Sequence, residues 1–286
     1  MKRVTIAVSS LLLSCYAICT DSGVVKTSVM DAPDYRLFCA QAAQEPETFA
    51  LFRSDPLYQY GLEHVTDYQA RECLRIIKEQ SPHFFTYVDR FKTSELVGSP
   101  VVAPYDELDV LAPTTVRYIK IASDVERLFG SLDGLSILEI GGGYGGQCKI
   151  LADLYTFKSY TIVDLPEPLA LTQAFLAACN VENVTLLSAE QELPVQDYDL
   201  VISNYALSEC SMQVQQRYID QLLRHATRGY LTCNVLPQEQ IKVPYQHELL
   251  QMLAQAYIPY TLLAEEPLTN WNNYVVVWNK QACCVR

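Results

Sequence analysis

Five of the six residues from Gly141 to Gly146 are glycines, and they follow directly on the apolar run Ile137-Leu138-Glu139-Ile140. Such a run reads as a buried parallel strand. Glycines at its end allow a sharp turn at positive φ and a close main-chain approach to a ligand. The helix expected from about Gly146 through Leu154 then points its free N-terminal amides at the same place. A strand, turn and helix of this kind commit the chain to an open α/β sheet with a nucleotide-type ligand at the strand ends.

Two ligand classes use such a turn. Gly141-x-Gly143-x-x-Gly146 fits the dinucleotide fingerprint. Glu139-x-Gly141-x-Gly143, with Gly142, Tyr144 and Gly145 in the same loop, resembles the first motif of class I S-adenosylmethionine-dependent methyltransferases. Charge separates the two. A pyrophosphate is disfavoured beside a carboxylate, whereas S-adenosylmethionine brings an ammonium and a sulfonium that Glu139 would attract. The competing role for Glu139 is to cap loop amides. Tyr160-Thr161-Ile162-Val163-Asp164 reads as a second strand ending in an acid. Asp164 follows Gly145 at about the 20-residue interval typical of a ribose-binding carboxylate, and could instead cap the helix expected over residues 167–179. Leu165 leads out of that strand, and Glu190, after a third strand at residues 184–188, can contact the adenine.

A fourth strand at residues 198–203 runs into Asn204-Tyr205-Ala206-Leu207-Ser208-Glu209, which places Ser203, Asn204 and Glu209 at the carboxyl edge of the sheet, where ligands bind. An amphipathic helix is expected over residues 212–227 and a fifth strand over 229–234. Candidate strands at 259–263 and 274–279 lack a long helix between them, which predicts an antiparallel hairpin. The expected fold is α/β: a Rossmann-like, seven-stranded methyltransferase sheet closed by an antiparallel C-terminal hairpin, with a mainly helical N-terminal region. Helical spacing over 65–80 and 116–129, with a proline-interrupted loop over 99–113, supports that region. The organisation read from the chain is a signal-like or mis-started segment (1–24), a helical cap shaping the acceptor pocket (25–130) and a cofactor-binding domain (131–286).

The blocks Glu139 to Gln147, Asp164-Leu165-Pro166-Glu167 and Ser203 to Glu209 resemble those of the bacterial sugar O-methyltransferase family. So do Phe52-Arg53-x-x-Pro56, Leu62-Glu63-His64-Val65 and Pro113-Thr114-Thr115-Val116-Arg117-Tyr118. The similarity covers residues 49–234. It implies a class I core, S-adenosylmethionine as methyl donor and a carbohydrate hydroxyl as acceptor, and it supplies no catalytic residue. A base that takes the hydroxyl proton would help the transfer. Glu209 is the first candidate, with capping of the following helix as its competing role; His64 and His247 are the alternatives. Arg117 can pair with the cofactor's carboxylate or with a nearby acid such as Asp124. Tyr144 and Tyr205 are expected to wall the cofactor or the acceptor.

Net charge is −12, with no basic run, which disfavours nucleic-acid substrates. The ten cysteines include no CxxC and no Cys/His cluster of zinc spacing, so no metal site is expected. Met1-Lys2-Arg3 and the apolar run after it resemble a secretory signal, and Leu12-Leu13-Ser14-Cys15 resembles a lipoprotein box. The run is too short for a stable transmembrane helix. Because S-adenosylmethionine is made in the cytosol, a cytoplasmic protein started at Met30 competes with an exported or lipid-anchored one. Two other functions fit parts of the sequence: an NAD(P)-dependent oxidoreductase, and a non-catalytic exported binding protein that keeps the fold. A homo-oligomer is compatible with all three.

Overall fold

The computed structural model describes Ser28, residues 31–235 and residues 243–281. The signal-like residues 1–24, Met30 and the Cys283-Cys284 pair lie outside the described residues. The first part is helical: α1 (Pro33–Gln44), α2 (Pro46–Leu51), α3 (Pro56–Gly61), α4 (Asp67–Gln80) and α5 (Val88–Phe91). Proline opens α1, α2 and α3, where its missing N–H costs no helical hydrogen bond. Thr66 and Gln69 close the start of α4 with a reciprocal capping box. Next come β1 (Ala103–Tyr105), β2 (Asp109–Leu111) and the long α6 (Pro113–Phe129). Residues 99–113, expected as a loop, thus hold a hairpin that pairs Ala103 with Leu111. Its strands have three residues each, too few for an alternating pattern to show.

The remainder alternates: β3 (Ser136–Ile140), α7 (Gly146–Leu154), β4 (Ser159–Asp164), α8 (Pro166–Ala178), β5 (Val184–Ser188), β6 (Tyr198–Asn204), α9 (Met212–Gln221), β7 (Ala226–Cys233), α10 (Gln246–Gln255), β8 (Tyr260–Ala264) and β9 (Tyr274–Asn279). The sheet order is β5-β4-β3-β6-β7-β9-β8. The first five strands run parallel, and β9 lies antiparallel between β7 and β8. This is the Rossmann-like methyltransferase fold, C-terminal hairpin included. The chain order reverses at β3, between β4 and β6, which opens a crevice at the carboxyl ends of those strands.

Alternation along each strand divides the core into two layers. Ile137, Ile162, Leu200 and Val277 face the side covered by α1, α6, α7 and α8. Leu138, Val163, Val201 and Trp278 face α9 and α10. The helix expected over 212–227 is shorter: α9 stops at Gln221, a single turn covers Leu223–His225, and Ala226 begins β7 opposite Tyr198. Leu222, Leu223 and Ala226 are fully buried and continue the helical spacing, so apolar spacing alone did not mark the boundary.

Arg53 is the largest fully buried side chain. Its guanidinium pairs with Glu63 and lies 3.7 Å from Glu95. It donates to the Ser94 carbonyl (3.0 Å) and to Thr115 Oγ1 (3.2 Å), and it covers the Tyr144 ring at 5.0 Å. The chain before α4, the segment before the hairpin, the start of α6 and the glycine turn therefore meet on one cation. Removing one partner of a buried, hydrogen-bonded pair strands the other charge. Arg53→Ala is expected to lower unfolding free energy by about 3–5 kcal/mol, whereas exposed Arg75→Ala changes it by under about 1 kcal/mol. Urea denaturation measures both, and equal losses would remove Arg53 from this role.

Candidate functional site

The crevice at β3, β4 and β6 opens into a cavity of about 570 Å³. Its floor is the glycine turn. Gly141 and Gly143 adopt φ of 78° and 56°, and a Cβ on Gly141 would stand 2.0 Å from that of Ala206, so the turn packs flush against the loop after β6. Asp164 pins the turn: its Oδ2 accepts the Gly143 amide (3.0 Å) and its Oδ1 accepts the Leu165 amide (2.7 Å). Leu165, not Asp164, occupies the cap position of α8.

Glu139, Gly141, Gly142, Gly143, Asp164, Leu165, Glu190, Asn204, Arg117, His64 and Glu209 all line the cavity. Four expected residues do not. Tyr144 turns away beneath the glycine turn and packs edge-on against Phe52 and Phe175. Gly145 caps α7, with φ 92°. Ser203 is fully buried and braces the strand ends, donating to the Ile140 carbonyl (2.9 Å) and accepting from the Leu207 amide (3.1 Å). His247 is exposed on α10 and stacks on Tyr245.

Electrostatics distinguish the lining groups. Burial pushes the Glu139 carboxyl up to about 8, against the hydrogen bond it accepts from the Tyr160 hydroxyl (2.8 Å), and the charge of Asp164 adds to the rise. Burial raises Asp164 to about 6, with the amides of Leu165, Gly143 and Gly142 pulling the other way. Glu209 is also raised by burial, and the Asn234 amide that donates to it at 2.7 Å opposes that rise. The competing capping role does not fall to Glu209, because Ser211 caps α9. His64 sits at the rim with Nδ1 3.1 Å from the Gly61 carbonyl; burial, then Arg117, disfavours its protonated form. Arg117 is buried, lies 4.5 Å from the Tyr205 ring centre, and has no ion pair or hydrogen bond for Nη2 among the described residues. Its alternative partner Asp124 bonds Lys120 (2.7 Å) and the Tyr230 hydroxyl (2.6 Å) instead.

Sequence reasoning missed three parts of this wall. From α1 come Tyr35 and Arg36, and Arg36 pairs with Glu167 and with Glu190, each at 2.8 Å. Asn234 follows β7 and donates to Glu209. Thr269, Asn270 and Asn273 come from the turn between β8 and β9. The cluster Asn270-Trp271-Asn272-Asn273 was a signal for the last of these, since amides crowded just before an apolar strand mark a strand-edge site.

No protein-family model matches the sequence. Among solved structures, the chain is similar to the YcgJ protein from Bacillus subtilis, with 16% identity over 46% of this chain and a TM-score of 0.39. It spans 64% of that protein, less than two thirds of its length. It is also similar to an S-adenosylmethionine-dependent methyltransferase from Mesorhizobium loti (13% identity, 54% of this chain, 94% of that chain, TM-score 0.43). A third is S-adenosylmethionine-bound CalS10, an amino pentose methyltransferase from Micromonospora echinaspora (12% identity, 57% and 90%, TM-score 0.46). These are partial likenesses, and the fold is assigned from strand order and pairing alone.

The Glu139 result fixes a pH dependence. Its folded-state value lies above the ordinary 4.5, so the stability supplied by the protonated form is complete below that value and is lost as pH rises through about 8. Glu139→Gln keeps an acceptor for Tyr160 and removes the titration. Urea denaturation from about pH 5 to about pH 9 is expected to show wild type losing stability that the variant keeps. Parallel curves would mean that Glu139 is ionised throughout.

Proposed function

We propose that the cavity binds S-adenosylmethionine and that the protein transfers its methyl group to a hydroxyl of a sugar or another small hydroxylated acceptor. The observation that carries this reading is the buried carboxyl of Glu139 behind the glycine turn, lining the same cavity as Arg117, whose Nη2 has no partner among the described residues. A zwitterionic, sulfonium-bearing ligand answers both, because its cationic end favours ionisation of Glu139, whereas a pyrophosphate would disfavour it.

In this reading Arg117 holds the methionyl carboxylate, and Asp164 presents its oxygens to the ribose diol while it keeps the turn in shape. Glu139 and Asn204 face the charged amino-acid end, and Leu165 and Glu190 border the adenine. Gly141, Gly142 and Gly143 give close main-chain approach, and Tyr144, Gly145 and Ser203 support the floor from behind. When bound, the cofactor supplies an electrophilic methyl already activated by the positive sulfur.

The protein's own task is to orient the acceptor oxygen, exclude water and take a proton. Glu209 suits the last role. Its raised carboxyl is a stronger base than an exposed one, and Asn234 fixes one oxygen while it lines the cavity. His64 at the rim, whose protonated form burial disfavours, is the second candidate, and His247 is not among the cavity-lining residues. Methyl transfer from radiolabelled S-adenosylmethionine to a pool of free and phosphorylated sugars tests the assignment. Glu209→Gln is expected to lower kcat about 100- to 10,000-fold with the cofactor Kd unchanged. Arg117→Met is expected to raise that Kd about 10- to 100-fold. Full transfer by Glu209→Gln would hand the base role to His64, and unchanged cofactor affinity in Arg117→Met would remove the carboxylate contact.

A further inference from the structure

We infer that the turn between β8 and β9, residues 265–273, reads the acceptor, and that the acceptor is a glycoside longer than the one unit that fits the cavity. The inference rests on the methyl-transfer reading and deepens it. The turn is firmly built. Glu265, 5% exposed, accepts the Thr269 amide (2.9 Å), the Asn273 side-chain amide (3.1 Å), the Thr269 hydroxyl and the Tyr205 hydroxyl. Gln69 of α4 donates to the Thr269 carbonyl at 3.0 Å, and Tyr205 reaches the knot from a strained φ of 68°. Two other elements, α4 and the loop after β6, thus brace a segment that would otherwise be a surface turn.

What the turn presents is specific. Asn273 lines the cavity and is 6% exposed. Its amide nitrogen is committed to Glu265 and Thr269, while its Oδ1 has no partner among the described residues. Exchanging the two atoms would set a carbonyl against the Glu265 carboxylate, so the orientation is fixed. A buried, unpaired carbonyl calls for a donor, and a hydroxyl supplies one. Asn234 and Asn270 add further amides to the same wall. Neutral groups that read hydroxyls are what a sugar ring needs.

Length follows from space and from the rim. A cavity of about 570 Å³ is in the range that takes a drug-sized ligand, so beside an adenosyl cofactor it leaves room for one ring at most. The next unit has to stand outside. Trp271 is 82% exposed, its main-chain amide donates to Asn270 Oδ1 at 2.8 Å, and in sequence it stands between cavity-lining Asn270 and Asn273. Tyr60, also 82% exposed, adjoins cavity-lining Gly61 and Leu62. Aromatic faces at such positions stack on the C–H faces of a sugar while their edges stay in water. The acidic chain argues against an anionic polymer in this place.

The two tryptophans make the test direct, because Trp278 is buried in the core and Trp271 is in solvent. Tryptophan emission would be followed during titration with glucose, mannose, galactose and rhamnose and with their di- and trisaccharides, each with S-adenosylhomocysteine present. At least one trisaccharide is expected to bind about 3- to 10-fold more tightly than its monosaccharide and to shift the emission to the blue. Binding by Trp271→Ala, followed by calorimetry, should lose that length dependence, while Asn273→Ala should weaken monosaccharide and trisaccharide alike. Equal binding of short and long sugars, a length dependence that survives in Trp271→Ala, or no response to any of these sugars would overturn the inference. A parallel titration with S-adenosylhomocysteine alone separates the two claims: its failure counts against methyl transfer, and the dependence on sugar length is read independently of it.

Discussion

The Arg53 guanidinium has no access to water, and it joins the helical half of the chain to the glycine turn. Two carboxylates, Glu63 and Glu95, surround it, together with a main-chain carbonyl and the Thr115 hydroxyl. Burying such a cluster is costly unless every group is satisfied, and once satisfied it tolerates few other arrangements. Its consequence reaches the cavity. Glu63 precedes His64, Thr115 lies two residues before Arg117, and Tyr144 sits in the glycine turn. Three groups of the candidate site therefore take their positions from one buried cation whose own side chain never touches the cavity.

A second layer of constraint acts at the strand ends. Asp164 ties β4 to the glycine turn, Ser203 ties β6 to β3, and the Tyr205–Glu265 bond ties the loop after β6 to the C-terminal hairpin. The first two bonds cross between strands that are neighbours in the sheet, the third reaches over β7, and all three join residues distant in sequence. The crevice is therefore shaped before any ligand arrives, and binding energy need not be spent on ordering it. The buried carboxyl of Glu139 stores the opposite kind of energy, because burial and the neighbouring charge of Asp164 disfavour its ionisation.

Local signals carried much of this into the sequence. The glycine turn, the acid ending β4 and the missing helix between the last two strands are features of contiguous residues, and each led to the observed sheet. Roles that depend on direction were harder to read. Tyr144 lies within the glycine turn, yet its ring faces the hydrophobic layer rather than the ligand. His247 was a candidate for its place beyond the fifth strand, and it stands exposed on α10. Arg53 and Glu63 stood in two separate family-like blocks, and nothing in their spacing showed that they pair. The end of α9 was hidden because the apolar positions after it, Leu222, Leu223 and Ala226, are buried and continue its helical spacing.

The central claim is that the buried carboxyl of Glu139 selects a cationic cofactor. Calorimetric titration with S-adenosylmethionine, S-adenosylhomocysteine and NAD near neutral pH, in two buffers of different ionisation enthalpy, addresses it most directly. The account predicts binding of both adenosyl ligands and not of NAD, with S-adenosylmethionine displacing a proton that Glu139→Gln no longer releases. Binding of NAD in preference to the adenosyl ligands, or proton release unchanged in Glu139→Gln, would contradict it.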